Sequence, residues 1–328
     1  MTSKFDVLGI GNAIVDVLVH IEDSFLAEHD IPRGSMQLVD EATSERLYGQ
    51  LGQAIECSGG SAANTIAGLA SLGSKSAYIG KTKDDQLGHV FDHDIKSLGI
   101  EFSTTKDTSG VSTARCLVMV SPDAERTMCT YLGACVNLTE DDIDPDLVAA
   151  SSVTYMEGYL WDPEQAKAAF RKAMTLSHAA GRKTSLSLSD SFCVGRHKAE
   201  FLQLAEHEID ILFANEDELL MLYDTQDISV ALAAVQQHCD IAAITRSAKG
   251  CVIASPTEII EVPGRSVDRL VDTTGAGDLF AAGFLHGYTR GEDLATCGNM
   301  GNLTASEVIT HMGARPDVVL KDYMRDHL

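Results

Sequence analysis

The chain has 328 residues, 45% of them hydrophobic and only one of them Trp, which suits one large α/β domain with a sizeable core and excludes wholesale disorder. Lys and Arg number 25 against 48 Asp and Glu, a formal net charge of −23, which argues against nucleic-acid and anionic-membrane partners. Eight Cys without a CxxC pair read as reduced thiols in a cytoplasmic protein, and no apolar run of about 18 residues predicts a membrane span. The opening residues are broken by Asp6, Asn12 and Asp16 and do not read as a signal peptide.

Phe5–Ile10 is a short apolar strand, followed by GIGNAI at 9–14. That run looks like a dinucleotide fingerprint, but Ile14 replaces the third small residue. Residues 15–22 are also β-branched and predict a strand, not a helix. The alternative is a turn that presents Asn12 and Asp16 to a cleft, where an amide and a carboxylate together hold vicinal hydroxyls. A plain turn Asn and an exposed strand Asp would explain the same residues.

Residues 23–55 are polar and partly helical. SGGSAANT at 58–65 then opens an apolar helix that stops at Gly73. The paired glycines allow close backbone approach or a hinge. Ser61 and Asn64 lie in the first turn, where each caps the helix or contacts a ligand; both readings stand. Lys75 occupies the upstream glycine position that a P-loop at 80–82 would need, so that motif fails.

Residues 77–80 predict a strand and 86–98 a helix. Residues 113–121 and 126–132 read as two strands about a Pro122 turn. With 15–22 they would form a small separate sheet, a natural lid, in which Arg115 and Arg126 are the basic residues. From about 150 strands alternate with helices: strands at 152–157, 184–189, 209–214 and Ile241–Thr245, helices at 163–180, 197–207 and 228–238. This pattern implies a parallel sheet whose cleft lies at the strand C-termini. Asn215, Glu218, Thr245, Arg246 and Asp272 fall at such ends. An acid and an amide there suit a hydrated Mg²⁺. Tyr131, Leu132, Trp161 and Phe192 are candidate platforms for a base. Residues 298–307 read as a helix whose early face borders one.

DTTGAGD at 272–278 runs straight into the apolar LFAAGFL. The small residues Gly275, Ala276 and Gly277 at a helix start leave amides open and make an anion site with the helix dipole. Asp278 beside that anion suits a general base for phosphoryl transfer, at a helix start that favours its ionised form. A glycine-capped helix with a solvated acid is the plain alternative.

Five pieces together, GIGNAIVD at 9–16, GGSAANT at 59–65, NEDE at 215–218, TRSAKG at 245–250 and DTTGAGD at 272–278, resemble the ribokinase-like (pfkB) carbohydrate kinases, and their adenosine-kinase branch in particular. The resemblance implies a three-layer α/β/α sandwich with a mainly parallel central sheet, a lid from about 14–39 and 106–131, ATP with Mg²⁺ as donor, and a sugar hydroxyl as acceptor. It makes Asp278 the base and Gly275, Ala276 and Gly277 the anion hole. Asn12, Asp16, Gly60, Ser61 and Asn64 would hold the acceptor hydroxyls. Asn215 and Glu218 would position Mg²⁺, Glu218 through water. Thr245, Arg246, Gly250 and Asn302 would border the nucleotide, and Arg126 would reach its phosphates from the lid. Asp272 and Thr274 match part of the family's monovalent-cation (K⁺) site. Ser247 departs from the family's usual glycine. The implied acceptor is the 5'-hydroxyl of adenosine; a free sugar is the alternative, and a non-catalytic sensor a third. A monomer and a homodimer are both open.

Overall fold

Alternation along the strands decides the architecture. In Phe5–Ile10 (β1), Val7 joins one apolar layer while Leu8 and Ile10 join another. Tyr155 and Met156, Phe213 and Leu212, and Ala243 and Ile244 divide in the same way. A sheet apolar on both faces has to be covered on both. The computed structural model, which describes residues 3–123 and 125–328, has that form.

The remaining strands are β2 (Ile14–His20), β3 (Met36–Leu38), β4 (Ile55–Gly59), β5 (Ser76–Ile79), β6 (Glu101–Phe102), β7 (Ala114–Val120) and β8 (Arg126–Tyr131). After them come β9 (Ser151–Glu157), β10 (Lys183–Ser187), β11 (Ile211–Asn215), β12 (Ile241–Thr245), β13 (Cys251–Ser255) and β14 (Glu258–Val262). Nine form one sheet in the order β14-β13-β12-β11-β10-β9-β1-β5-β6, parallel except at β13 and β14. Helices Ser61–Ser71, Ala276–Thr289 and Leu294–Val308 cover one face; Glu164–Ala179, Ser191–His207 and Ile228–Val235 cover the other.

The other five strands form a second sheet, β3-β8-β7-β2-β4. The expected pair at 113–121 and 126–132 is there, antiparallel from Arg115 opposite Tyr131 to Val120 opposite Arg126. The sheet also takes in β4, at 55–59, which the sequence left outside it. One face packs Val15, Val17, Leu117 and Met119 into the main core. The opposite face carries Ile14, Asp16, Leu18, Cys116 and Val118 towards a cleft. Among the described residues no helix is long and apolar enough to cross a membrane. All eight cysteines are unpaired, and seven are buried.

Candidate active site

A cleft of about 980 Å³ lies between the C-terminal ends of β9, β11 and β12 and the open face of the second sheet. Its floor is the start of helix Ala276–Thr289. Gly275 precedes that helix in the left-handed region, at φ 77°, which a side chain adopts only with strain. A Cβ at Gly275 would also lie 2.7 Å from the Ala314 Cα, so glycine is required twice over.

Of the three amides expected to face an anion, Ala276 is already used: its N–H donates to the Thr273 carbonyl at 3.2 Å, closing the turn before the helix. Gly275, Gly277 and Asp278 have no such bond among the described residues, and all three line the cleft. Among the described residues the amides free to meet an anion are therefore those of Gly275, Gly277 and Asp278, because the turn uses the Ala276 N–H.

The Asp278 carboxylate is held at both oxygens. The Ser61 hydroxyl donates to Oδ1 at 2.7 Å and the Asn64 amide donates to Oδ2 at 3.1 Å. Ser61 and Asn64 thus grip the acid; in this arrangement neither caps the helix they open. Burial raises the Asp278 pKa to about 6, against the pull of those two hydrogen bonds and of Arg315. A helix start was expected to favour the ionised form. At about 6 the carboxyl is still mostly ionised at neutral pH, but burial makes its charge costlier than in water.

Gly60, at φ 98°, begins helix Ser61–Ser71 and lets the chain pass against the Asn12 carbonyl. The β1–β2 turn and this helix start are joined by Glu157 at the end of β9. Its Oε1 accepts from the Asn12 backbone N–H at 2.8 Å and from the Asn12 amide at 2.7 Å; its Oε2 accepts from the Ala62 N–H at 2.6 Å. Among the described residues the Asn12 Oδ1 has no partner, an acceptor in a cleft-lining residue. Burial raises Glu157 to about 7 against those N–H donors. Asp16 accepts no hydrogen bond among the described residues, and burial raises it to about 6. Arg315 and Arg126 oppose that rise, and Asp278 adds to it.

At the other end of the cleft, Asn215 and Glu218 cap each other. The Asn215 N–H and side-chain amide donate to Glu218 at 3.0 and 2.6 Å, and the Glu218 N–H donates back at 2.8 Å. Glu218 is buried and its pKa rises to about 7. Each of its oxygens keeps a lone pair for a further donor such as a metal-bound water. Its place and chemistry therefore fit a hydrated Mg²⁺. Thr245 lines the cleft as well.

Other expected residues lie elsewhere. Arg246 pairs with Glu216 at 2.8 Å, and the Asn302 amide donates to the carbonyls of Val262 and Pro263. Gly250, at φ 93°, packs on the same 262–264 loop. None of the three lines the cleft; they brace the 246–250 turn beside it. Arg126 lines the cleft, but its guanidinium lies 2.5 Å from Asp272 Oδ2. The same Asp272 oxygen accepts from the Gly313 N–H, and Oδ1 accepts from the Thr274 N–H, each at 3.0 Å. With both oxygens engaged and a guanidinium against them, Asp272 does not fit a monovalent cation in this arrangement. Of the candidate platforms, Leu132 and Phe192 line the cleft, whereas Trp161 is buried against Phe170 and Phe201.

The residues that sequence reasoning missed are Glu157 and Arg315. Glu157 stands at a strand C-terminus, the criterion that selected Asn215 and Thr245. Arg315, in the GARP turn at 313–316, carried no comparable signal.

The arrangement is that of a phosphotransferase: an acid held beside open amides at a helix start, facing a cleft closed on one side by a second sheet. Residues 39–320 match the pfkB family carbohydrate kinase, so the chain belongs to that family. The structure of adenosine kinase from Sinorhizobium meliloti is 50% identical, with a TM-score of 0.91 over 99% of this chain and 100% of that one. A probable sugar kinase protein from Rhizobium etli CFN 42 is 46% identical, also at 0.91, over 99% of both. The adenosine kinase of Saccharomyces cerevisiae is 26% identical over 95% of this chain and 96% of its own. The fold is ribokinase-like, and the chain is a sugar or nucleoside kinase with a hydroxyl acceptor.

Proposed function

We propose that the chain transfers the γ-phosphoryl group of ATP to the 5'-hydroxyl of adenosine. The observation that carries the reading is the Asp278 carboxylate, fixed by Ser61 and Asn64 next to the open amides of Gly275 and Gly277. An alcohol placed there gives its proton to Asp278 as its oxygen attacks phosphorus in line, and the amides receive charge from the phosphoryl oxygens. Asp16 and the Asn12 Oδ1 take the ribose hydroxyls. Asn215, Glu218 and Thr245 lie towards the donor. Mg²⁺ bound through water near Glu218 would neutralise charge between the transferring phosphates. The second sheet acts as a lid, and its approach frees Arg126 from Asp272 to meet a phosphate.

A nucleoside is favoured by the apolar face beside Asp16. Ile14, Leu18, Val118 and Met128 line it, while Met36 and Leu38 stand 51% and 63% exposed at its edge. A purine buries such a face; a free sugar does not. The likeness to the Sinorhizobium adenosine kinase supports the same acceptor. The Rhizobium sugar kinase keeps a free-sugar acceptor as the second reading. Unpaired thiols suit a reducing cytoplasm. ADP release measured over a panel of nucleosides and sugars decides: adenosine should give the highest kcat/KM. Ribose or fructose exceeding it tenfold would replace the nucleoside reading.

The acid limb of the pH profile follows from the same residues. A base must be ionised, so kcat/KM should fall below about pH 6, where Asp278 and Asp16 take up protons. Asp278 adds to the rise at Asp16, and both carboxylates must be ionised, so the fall steepens towards two protons. Activity that stays flat down to pH 5 would remove a free carboxylate from the reaction.

A further inference from the structure

Residues 313–315 form a strap across the site. The Gly313 N–H donates to Asp272, Ala314 packs on Gly275, and Arg315 reaches the start of helix Ser61–Ser71. Three consecutive residues thus tie the DTTGAGD turn to the GGSAANT turn, which lie more than two hundred positions apart in sequence.

The detail lies in how Arg315 donates. Its Nε donates to Asn64 Oδ1 at 3.0 Å, and its terminal Nη2 donates to the Ser58 carbonyl at 2.6 Å and the Ser58 hydroxyl at 2.8 Å. Asn64 in turn donates from its Nδ2 to Asp278 at 3.1 Å. A side-chain amide has two faces, one donating and one accepting. With the guanidinium on one side and a carboxylate on the other, only one orientation of Asn64 satisfies both. Rotated by a half-turn, its NH₂ would face the guanidinium donors and its oxygen would face the Asp278 carboxylate.

We infer that Arg315 is a positioning residue for phosphoryl transfer: it fixes the Asn64 amide in the orientation that donates to Asp278, and so aims the base. The inference rests on Asp278 being the base. It does not rest on the identity of the acceptor. A planar guanidinium suits the task because its N–H groups point in fixed directions to separate acceptors. A lysine ammonium reaches one of them at a time.

The test is a double-mutant cycle between Arg315 and Asn64, run with whichever acceptor gives the wild-type protein its highest turnover. Arg315→Met should lower kcat at least tenfold while the KM for the nucleotide changes by less than threefold. At pH 8, where the direct pull of Arg315 on the Asp278 pKa no longer changes its ionisation, Asn64→Ala should lower kcat similarly, and the double variant should be no worse than Asn64→Ala within about twofold, because Arg315 acts through Asn64. Arg315→Lys should recover part of the lost kcat. Should Arg315→Met fold poorly by circular dichroism and thermal midpoint, the cycle with Arg315→Lys carries the test instead. Losses that multiply in the double variant would overturn the inference. So would a lowered thermal midpoint with kcat intact, or a lysine variant no better than methionine.

Discussion

Asp278→Asn is expected to reduce kcat by about 10³-fold, within the range for removal of a general base, and to raise the thermal midpoint at neutral pH. Both effects have one cause. The carboxylate sits where burial disfavours its charge, so its pKa rises from 3.8 to about 6. The folded state therefore binds this proton more tightly than the unfolded chain does. Below about pH 4 the acid is protonated in both states and folding is not penalised. As pH rises through 6 the folded protein must carry a buried charge, and stability falls. The shift corresponds to about 3 kcal/mol at most, and about 1–2 after allowing for the cleft water that the carboxyl still meets. Asparagine has no charge to bury, so its gain should be present at pH 8 and should shrink towards pH 4.5. Nucleotide binding should survive, because the proposed donor side at Asn215, Glu218 and Thr245 is untouched. Calorimetric melts at the two pH values, with steady-state turnover, check the pair of effects. Near-normal turnover would remove Asp278 from the base role. A variant that melts lower at pH 8 would mean the carboxylate holds the floor together rather than straining it.

Much of the candidate site's lining was legible because its parts are local motifs. Asn12 with Asp16, Gly60 with Asn64, Asn215 with Glu218, and Gly275 with Asp278 each sit within five residues of one another, so spacing alone announces them. The strands from 151 to 245 were legible for a similar reason, since each is an apolar run bounded by helical periodicity. What escaped depends on partners far along the chain. Glu157 acts on Asn12 and Ala62, 145 and 95 residues away, and Arg315 acts on Asn64, 251 residues away. β4 reads IECSG, a weak strand by composition, and is one because β2 pairs with it from Ile14 opposite Gly59 to Leu18 opposite Ile55. β13 and β14 form an antiparallel edge after a run of parallel strands, and the alternating βα pattern gives no warning of that reversal. The helix placed at 197–207 begins at Ser191, capped by Asp190. Its backbone breaks at His197, with φ −119° and ψ 18°, where the regular pattern starts. The groups that tune Asp278 have the same origin: Ser61, Asn64 and Arg315, which pull its pKa down against burial, are all distant in sequence.

Asp16→Ala is expected to raise the acceptor KM about 10²-fold and to leave the nucleotide KM within about threefold. Asp16 lies on the cleft face of β2, level with Cys57 on β4 and Cys116 on β7. Neither neighbour is a strong donor, and burial pushes both thiols up to about 12, so they remain neutral. The carboxylate is thus held in low-dielectric surroundings with no hydrogen bond of its own among the described residues, an arrangement that costs free energy until a ligand supplies donors. Two hydroxyls of a ribose would supply them. Hydrogen bonds to a charged group contribute about 1.5–3 kcal/mol each, so losing the pair costs at least about 3 kcal/mol, or roughly two powers of ten in affinity. Asparagine at position 16 keeps the shape and one acceptor, so it should fall between alanine and wild type. On the proposed reading the donor lies towards Asn215, Glu218 and Thr245, away from Asp16 in the same cleft, so the nucleotide should barely notice. Initial rates with each substrate varied at saturation of the other separate the two constants. Equal increases in both would mean that Asp16 shapes the whole cleft. A fall in kcat alone would place it beside Asp278 in the chemistry rather than in the grip on the acceptor.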